Sequence, residues 1–177
     1  MINVFAVSDT WFNRLLSSDK DTNVIEKNNR IIKSWNDVVG PSDLVYVLGG
    51  FGISDLYNIV VRLNGRIYFL DNAFNADEKK FMDDMKTAVK QSGDDNLKRR
   101  ITFESNQIMS IGIYDSVFSY YPLSDWGGKQ SGTYLFHGLN DDIDMKDHNF
   151  SCVYNHWNKP VNIFEIQEKM KEFKLFG

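Results

Sequence analysis

In the first half of the chain, apolar residues come in short unbroken runs separated by helically spaced segments. Ile2 to Val7 is one such run, and it stops at Ser8-Asp9 as a buried strand does at a turn. From Thr22 to Val39 the apolar residues Val24, Ile25, Ile31, Ile32, Trp35, Val38 and Val39 follow one helix face, and Gly40-Pro41 stops it. Leu44 to Leu48 reads as a second strand, broken by Gly49-Gly50. Ser54 and Asp55 are placed to cap a helix to about Leu63, which Asn64-Gly65 ends, and Arg66 to Leu70 reads as a third strand. Strands alternating with helices in this order imply right-handed crossovers and a parallel sheet.

The second half changes character. Ala76 to Gln91 has helical spacing, with Phe81, Met85, Ala88 and Val89 on one face. Five short strands are predicted next, at Ile101–Phe103, Gln107–Ile113, Ser116–Tyr120, Thr133–Phe136 and Phe150–Tyr154, in an antiparallel or mixed pattern. Val161 to Phe176 closes the chain as an amphipathic helix. No repeat, low-complexity segment or linker divides the sequence, so residues 1–177 are expected to form one domain. The order of elements fits an α/β sandwich of two packed sheets flanked by helices.

Composition narrows the function classes. Twenty Lys and Arg against 24 Asp and Glu give a net charge of −4, so nucleic acid is not expected to be held by the overall field. One cysteine, Cys152, supports no internal disulfide, which points to a reducing compartment. No apolar stretch reaches the roughly 18 residues of a membrane span. The amino terminus reads as a first strand rather than a signal peptide, so a cytoplasmic location is expected.

Candidate chemistry lies just after the strands. These loops contain Ser8-Asp9-Thr10-Trp11, Gly49-Gly50-Phe51, Asp71-Asn72-Ala73-Phe74, Ser119-Tyr120-Tyr121-Pro122-Leu123 and His137-Gly138-Leu139-Asn140-Asp141. Loops at the carboxyl ends of strands build sites in α/β sheets, so the five are expected to converge. Their order and spacing resemble the calcineurin-like metallophosphoesterases, especially the small single-domain type common in bacteria and their phages. That family carries Asp-x-His, Gly-Asp-Phe, Gly-Asn-His-Asp, Ser-His-Tyr-Pro-Leu and His-Gly-His-x-His at the corresponding places. The resemblance runs from Val4 to about Ile166 and includes Ile32-x-x-Trp35-Asn36, Leu63-Asn64-Gly65-Arg66-Ile67 and Trp157-Asn158-Lys159-Pro160-Val161. It implies a four-layer αββα sandwich of two mixed sheets.

The departures from that pattern carry the functional reading. Where the family has ligand histidines, this chain has Trp11, Ala73, Tyr120, Leu139 and Asp141, and Gly50 stands for the bridging aspartate. His137 matches a motif histidine that is not usually a ligand. Asp9 and Asn72 keep family ligands, with Asp141 as a replacement donor. A dinuclear centre needs a bridging carboxylate and lone pairs from most of its wall. Gly50, Trp11, Ala73 and Leu139 supply none, and a neutral phenol is a poor ligand. Enzymic rate enhancement takes at least about 8 kcal/mol off a barrier, and the groups that would supply it are missing. No cofactor is therefore expected. Bulky Trp11, Tyr120 and Leu139 are expected to fill the vacated volume, with Trp11 and Tyr120 near Asn72.

Most of these residues also have a simpler reading. Asp9 and Asn72 can serve their own loops. Asp141-Asp142-Ile143-Asp144 lacks the glycine and glutamate of a calcium loop. Ser119 has no evident base, His148 and His156 match no ligand spacing, and Lys98-Arg99-Arg100 reads as a solvated edge. Tyr121 and Trp126 are the candidates for an exposed aromatic patch, since aromatics concentrate at protein–protein hot spots.

The first reading is a catalytically inactive metallophosphoesterase-like protein that acts as a binding module for a protein partner. The resemblance to phage proteins implies an inhibitor or modulator of a host enzyme, acting in the host cytoplasm. One alternative is an active phosphoesterase with a rearranged site. In it Asp9, Asn72, Asp141 and Asp71 hold one manganese or other divalent ion and His137 assists. The other alternative is a nucleotide-binding sensor.

Overall fold

The computed structural model describes residues 2–17, 19–72, 76–139 and 148–175. The first sheet has the order β4-β3-β2-β1-β9, built from β1 (Val4–Val7), β2 (Leu44–Val47), β3 (Arg66–Phe69), β4 (Ile101–Phe103) and β9 (Val161–Asn162). Strands β1 to β4 are parallel, and β9 runs antiparallel to β1. The second sheet has the order β5-β6-β7-β8, from β5 (Ile108–Ile111), β6 (Ser116–Ser119), β7 (Tyr134–His137) and β8 (Asn149–Ser151), with only β5 antiparallel to its neighbour. Two mixed sheets with helices make an α/β sandwich, as the order of elements implied.

Period-two alternation sorts the side chains into layers. Phe5, Val7, Val45, Val47, Ile67 and Phe69 face one way, toward residues of α1 (Val24–Asn36), α2 (Leu56–Val60), α3 (Ala76–Gln91), α4 (Asp95–Arg100) and α5 (Tyr154–Trp157). Val4, Ala6, Tyr46, Leu48 and Leu70 face the other way, against Phe118, Phe136 and Phe150 of the second sheet. Helix α6 (Ile163–Leu175) adds Ile163, Ile166 and Met170 to this inter-sheet core. A ladder of rings crosses it. Tyr68 stacks on Tyr46 at 5.1 Å, Tyr46 on Phe118 at 4.5 Å, and Phe118 on Phe136 at 5.8 Å. Much of the aromatic content is thus core packing. On the outer face of the second sheet Val117 and Leu135 lie under Trp126 and Leu123.

Local chemistry explains where sequence and structure differ. Asp55 precedes α2 in a left-handed conformation with no side-chain cap bond, and its carboxylate accepts from Asn58 Nδ2 at 2.7 Å instead. Lys98-Arg99-Arg100, expected to be a solvated edge, is the last turn of helix α4, with Lys98 and Arg99 exposed and the helix capped by Asp94 Oδ1 on the Asn96 and Leu97 amides. Its last residue, Arg100, turns in and donates to the carbonyls of Leu63, Val60 and Val61 at the end of α2. The strand expected over Phe150–Tyr154 ends at Ser151, and the closing helix is preceded by β9. Asn36, Asn64 and Trp35, from segments that carried the family resemblance, meet here: Trp35 Nε1 donates to Asn64 O and Asn64 N to Asn36 Oδ1.

The segment after the first strand-end loop is held by an ion pair sequence patterning missed. Lys27 Nζ lies 2.8 Å from Asp19 Oδ2 and 2.8 Å from Arg14 O, with the two side chains 2% and 3% exposed. Removing one member of a buried pair strands the other charge, at a cost of about 3–5 kcal/mol. Lys27→Ala is expected to lower stability in urea titrations by that order. Lys33→Ala, which breaks the exposed pair with Asp37, is expected to have no measurable effect. Equal losses would contradict the assignment of Lys27 as the clamp.

Candidate functional site

The strand-end loops do converge, and backbone hydrogen bonds bring them together. Beyond β1 and β2 the chain stays zipped: Asp9 N donates to Gly49 O at 3.1 Å, Trp11 N to Gly50 O at 2.9 Å and Phe12 N to Phe51 O at 2.9 Å. Ser8 ties this pair to the second sheet. Its N–H donates to Cys152 O, its carbonyl accepts from Tyr154 N, and its buried Oγ donates to Gly138 O at 2.8 Å. Nothing in the sequence singled out Ser8, because a serine at a strand end is an ordinary turn residue.

Asp9, Gly50, Tyr120, Asn72 and the His137–Leu139 turn form one cluster. Asp9 adopts a left-handed conformation, φ 54°, and its carboxylate lies over the Gly50 backbone. A Cβ at Gly50 would fall onto Asp9 Oδ1 and within 2.9 Å of Asp9 Cα, and Gly50 itself has φ 61°. The Tyr120 ring covers two more glycines: a Cβ at Gly49 or Gly138 would approach Tyr120 Cδ2 to 2.6 or 2.7 Å. The Tyr120 hydroxyl reaches Asp9 Oδ1 at 3.4 Å. Burial first, and the neighbouring Asp9 charge second, push the phenol far above its ordinary range, so it stays neutral.

Asn72 sits at the same junction, because its carbonyl oxygen and the Tyr120 ring both border the space a Gly49 Cβ would take, at 3.2 and 2.6 Å from it. The expected closeness of Tyr120 and Asn72 is thus present. Trp11 joins the cluster through its backbone bond to Gly50, and its half-buried ring carries the Arg14 guanidinium at 5.1 Å. Asn72 is 7% exposed; its Nδ2 donates to Gln107 O at 3.1 Å, while its buried Oδ1 has no hydrogen-bond partner among the described residues. Glu78, also buried, and Asn72 line a cavity of about 160 Å³ between the ends of β2 to β4 and α3.

His137 is buried, and its Nδ1 donates to Leu139 O at 2.7 Å. Burial holds its pKa below the ordinary value, and the bond to Leu139 acts in the opposite sense. Leu139 is partly exposed at the rim, with its N–H on Tyr120 O at 2.6 Å, and Tyr121 beside it is 51% exposed. Trp126 is a correction. It is 8% exposed, its Nε1 bonded to Thr133 O and its ring under Lys129 Nζ at 4.7 Å, so it is packing for the second sheet rather than an offered aromatic. Ala73 and Asp141, with the rest of the acidic run, lie outside the described residues.

Among the described residues, the donors at this cluster do not match those of a two-metal centre. The carboxylate that would bridge the ions has no room at Gly50, the Tyr120 phenol is held neutral, and Leu139 has no donor atom. No group of three or more His, Cys, Asp or Glu is arranged to hold an ion among the described residues.

Two outcomes follow. Gly50→Asp introduces the residue that the resembled pattern carries there, yet it is expected to cost at least about 2 kcal/mol in denaturation by steric overlap with Asp9; a neutral effect would contradict the packing described. Because the folded pKa of His137 is depressed, the folded state binds fewer protons there. Its stability is full above 6.5 and falls as pH drops from that value toward the folded pKa. His137→Gln is expected to lose less stability than the parent between pH 7 and pH 5, measured by denaturant titration at each pH.

No known family profile matches the chain. An uncharacterized protein of Methanocaldococcus jannaschii is 34% identical over 79 residues, which cover 40% of this chain and 45% of that relative's length. Among solved structures, a protein of unknown function from Aquifex aeolicus superposes with a TM-score of 0.61 at 18% identity, covering 95% of this chain and 99% of its own. The α/β architecture is thus shared along nearly the whole of both chains.

Proposed function

We propose that this chain is a metallophosphoesterase-like protein of the four-layer type whose catalytic centre has been rebuilt as packing, and that it works as a binding module for a protein partner. One observation carries the reading: the Asp9 carboxylate occupies the space over Gly50 where the bridging side chain of an active relative would start. Tyr120 closing over Gly49 and Gly138 supports it, because a core filled by rings and short loops leaves shape rather than chemistry as the working property. The partner-facing rim is Tyr121 with Leu139, an aromatic and an aliphatic side chain beside a rigid floor. Inhibition or modulation of a host enzyme is the role the resemblance to phage proteins supplies.

A residual single-ion site is the second reading, favoured by the unpartnered Oδ1 of Asn72. Generic phosphodiester hydrolysis with manganese separates the two. No turnover above background is expected, whereas turnover with stoichiometric bound manganese would end the inactive reading. Tyr121→Ala is expected to weaken capture of the partner by about tenfold or more without lowering the melting temperature. Unchanged capture would remove Tyr121 from the interface.

A further inference from the structure

The first sheet carries a second concave feature at its other end, where the parallel strands begin. A groove of about 660 Å³ lies beside the start of β3 and the ends of α2 and α4. It is lined by Arg62, Arg66, Arg99 and Arg100, four of the six arginines in the chain, with the amides of Asn64 and Asn96 between them. Four strand residues separate it from the strand-end cluster, roughly 13 Å.

These charges are not neutralised from within. Among the described residues, none of the four arginines has a carboxylate within 4.0 Å and no acidic residue lines the groove. Carboxylates on adjoining elements are engaged elsewhere. Asp43 accepts from the Asn3 and Gly40 amides, Asp94 caps α4, Asp95 faces Lys98, and Asp37 faces Lys33. Arg100 has a structural task on the carbonyls of α2, and Arg62 reaches Asn29 Oδ1 at 2.8 Å with one nitrogen. Arg66 and Arg99 are exposed. Four like charges around one concavity repel each other unless an anion sits among them. Guanidinium forks match phosphate oxygens two at a time. The overall charge of −4 disfavours a long polyanion, whose binding draws on the field of the whole chain.

We propose that this groove binds a compact anion bearing two or more phosphate groups, independently of the protein-binding reading of the strand-end face. The test is calorimetric titration of the full chain with inorganic pyrophosphate. Saturable one-to-one binding is expected. The triple variant R62Q/R66Q/R99Q leaves Arg100 on its carbonyls, and it is expected to weaken binding by more than about tenfold, or about 1.4 kcal/mol. R66K, which keeps the charge and loses the fork, is expected to weaken it as well while melting like the parent. Absence of saturable binding, or affinity within about twofold in the triple variant, overturns the proposal. Tighter binding of a single-stranded oligouridylate or a hexaglutamate peptide than of pyrophosphate overturns it too, by assigning the groove to a macromolecule.

Discussion

The whole strand-end region depends on how β1 finishes. Residues 8–12 leave the strand without leaving the sheet, because their amides continue to bond the Gly49–Phe51 segment after β2. On the other side Ser8 bonds Cys152 and Tyr154, and its hydroxyl reaches Gly138. One short stretch of backbone therefore fixes the two sheets relative to each other and brings the loops of β1, β2, β6 and β7 to one place. Such a junction requires close backbone approach, which the glycines at 49, 50 and 138 permit.

That close approach has a chemical consequence. The space that would receive a carboxylate at Gly50 is filled by Asp9, and the faces of Gly49 and Gly138 are filled by the Tyr120 ring. Asp9 lies at the edge of this packing with the Tyr120 hydroxyl beside it, so a single carboxyl group stands there in place of a bridged pair. In the proposed reading, what an active relative spends on holding ions is replaced here by ring-on-backbone contact. The rigid floor then presents Tyr121 and Leu139 outward.

Much of this was legible in the chain itself. Uninterrupted apolar runs located β1, β2 and β3 to within a residue or two, because strands buried on both faces must be apolar throughout. The convergence of Asp9, Gly50, Asn72, Tyr120 and His137 also followed from loop order. Other features were not legible, for reasons of physics. Trp126 looked like a free aromatic, yet its destination depends on the outer face of the second sheet, a contact no local pattern encodes. Arg100 looked solvated like its exposed neighbours Lys98 and Arg99, because the carbonyls that hold it lie far away in sequence. The Lys27–Asp19 pair is invisible to patterning, which counts both residues as surface. The gathering of four arginines at one groove likewise appears only when α2, β3 and α4 are assembled.

Anomalous diffraction from crystals soaked in manganese tests the proposed rebuilding of the centre most directly. The expected result is no pair of ions between Asp9 and Asn72, with the Tyr120 ring still seated over Gly49 and Gly138. Two strong peaks about 3.5–4 Å apart at the ends of β1, β2 and β3 would contradict it.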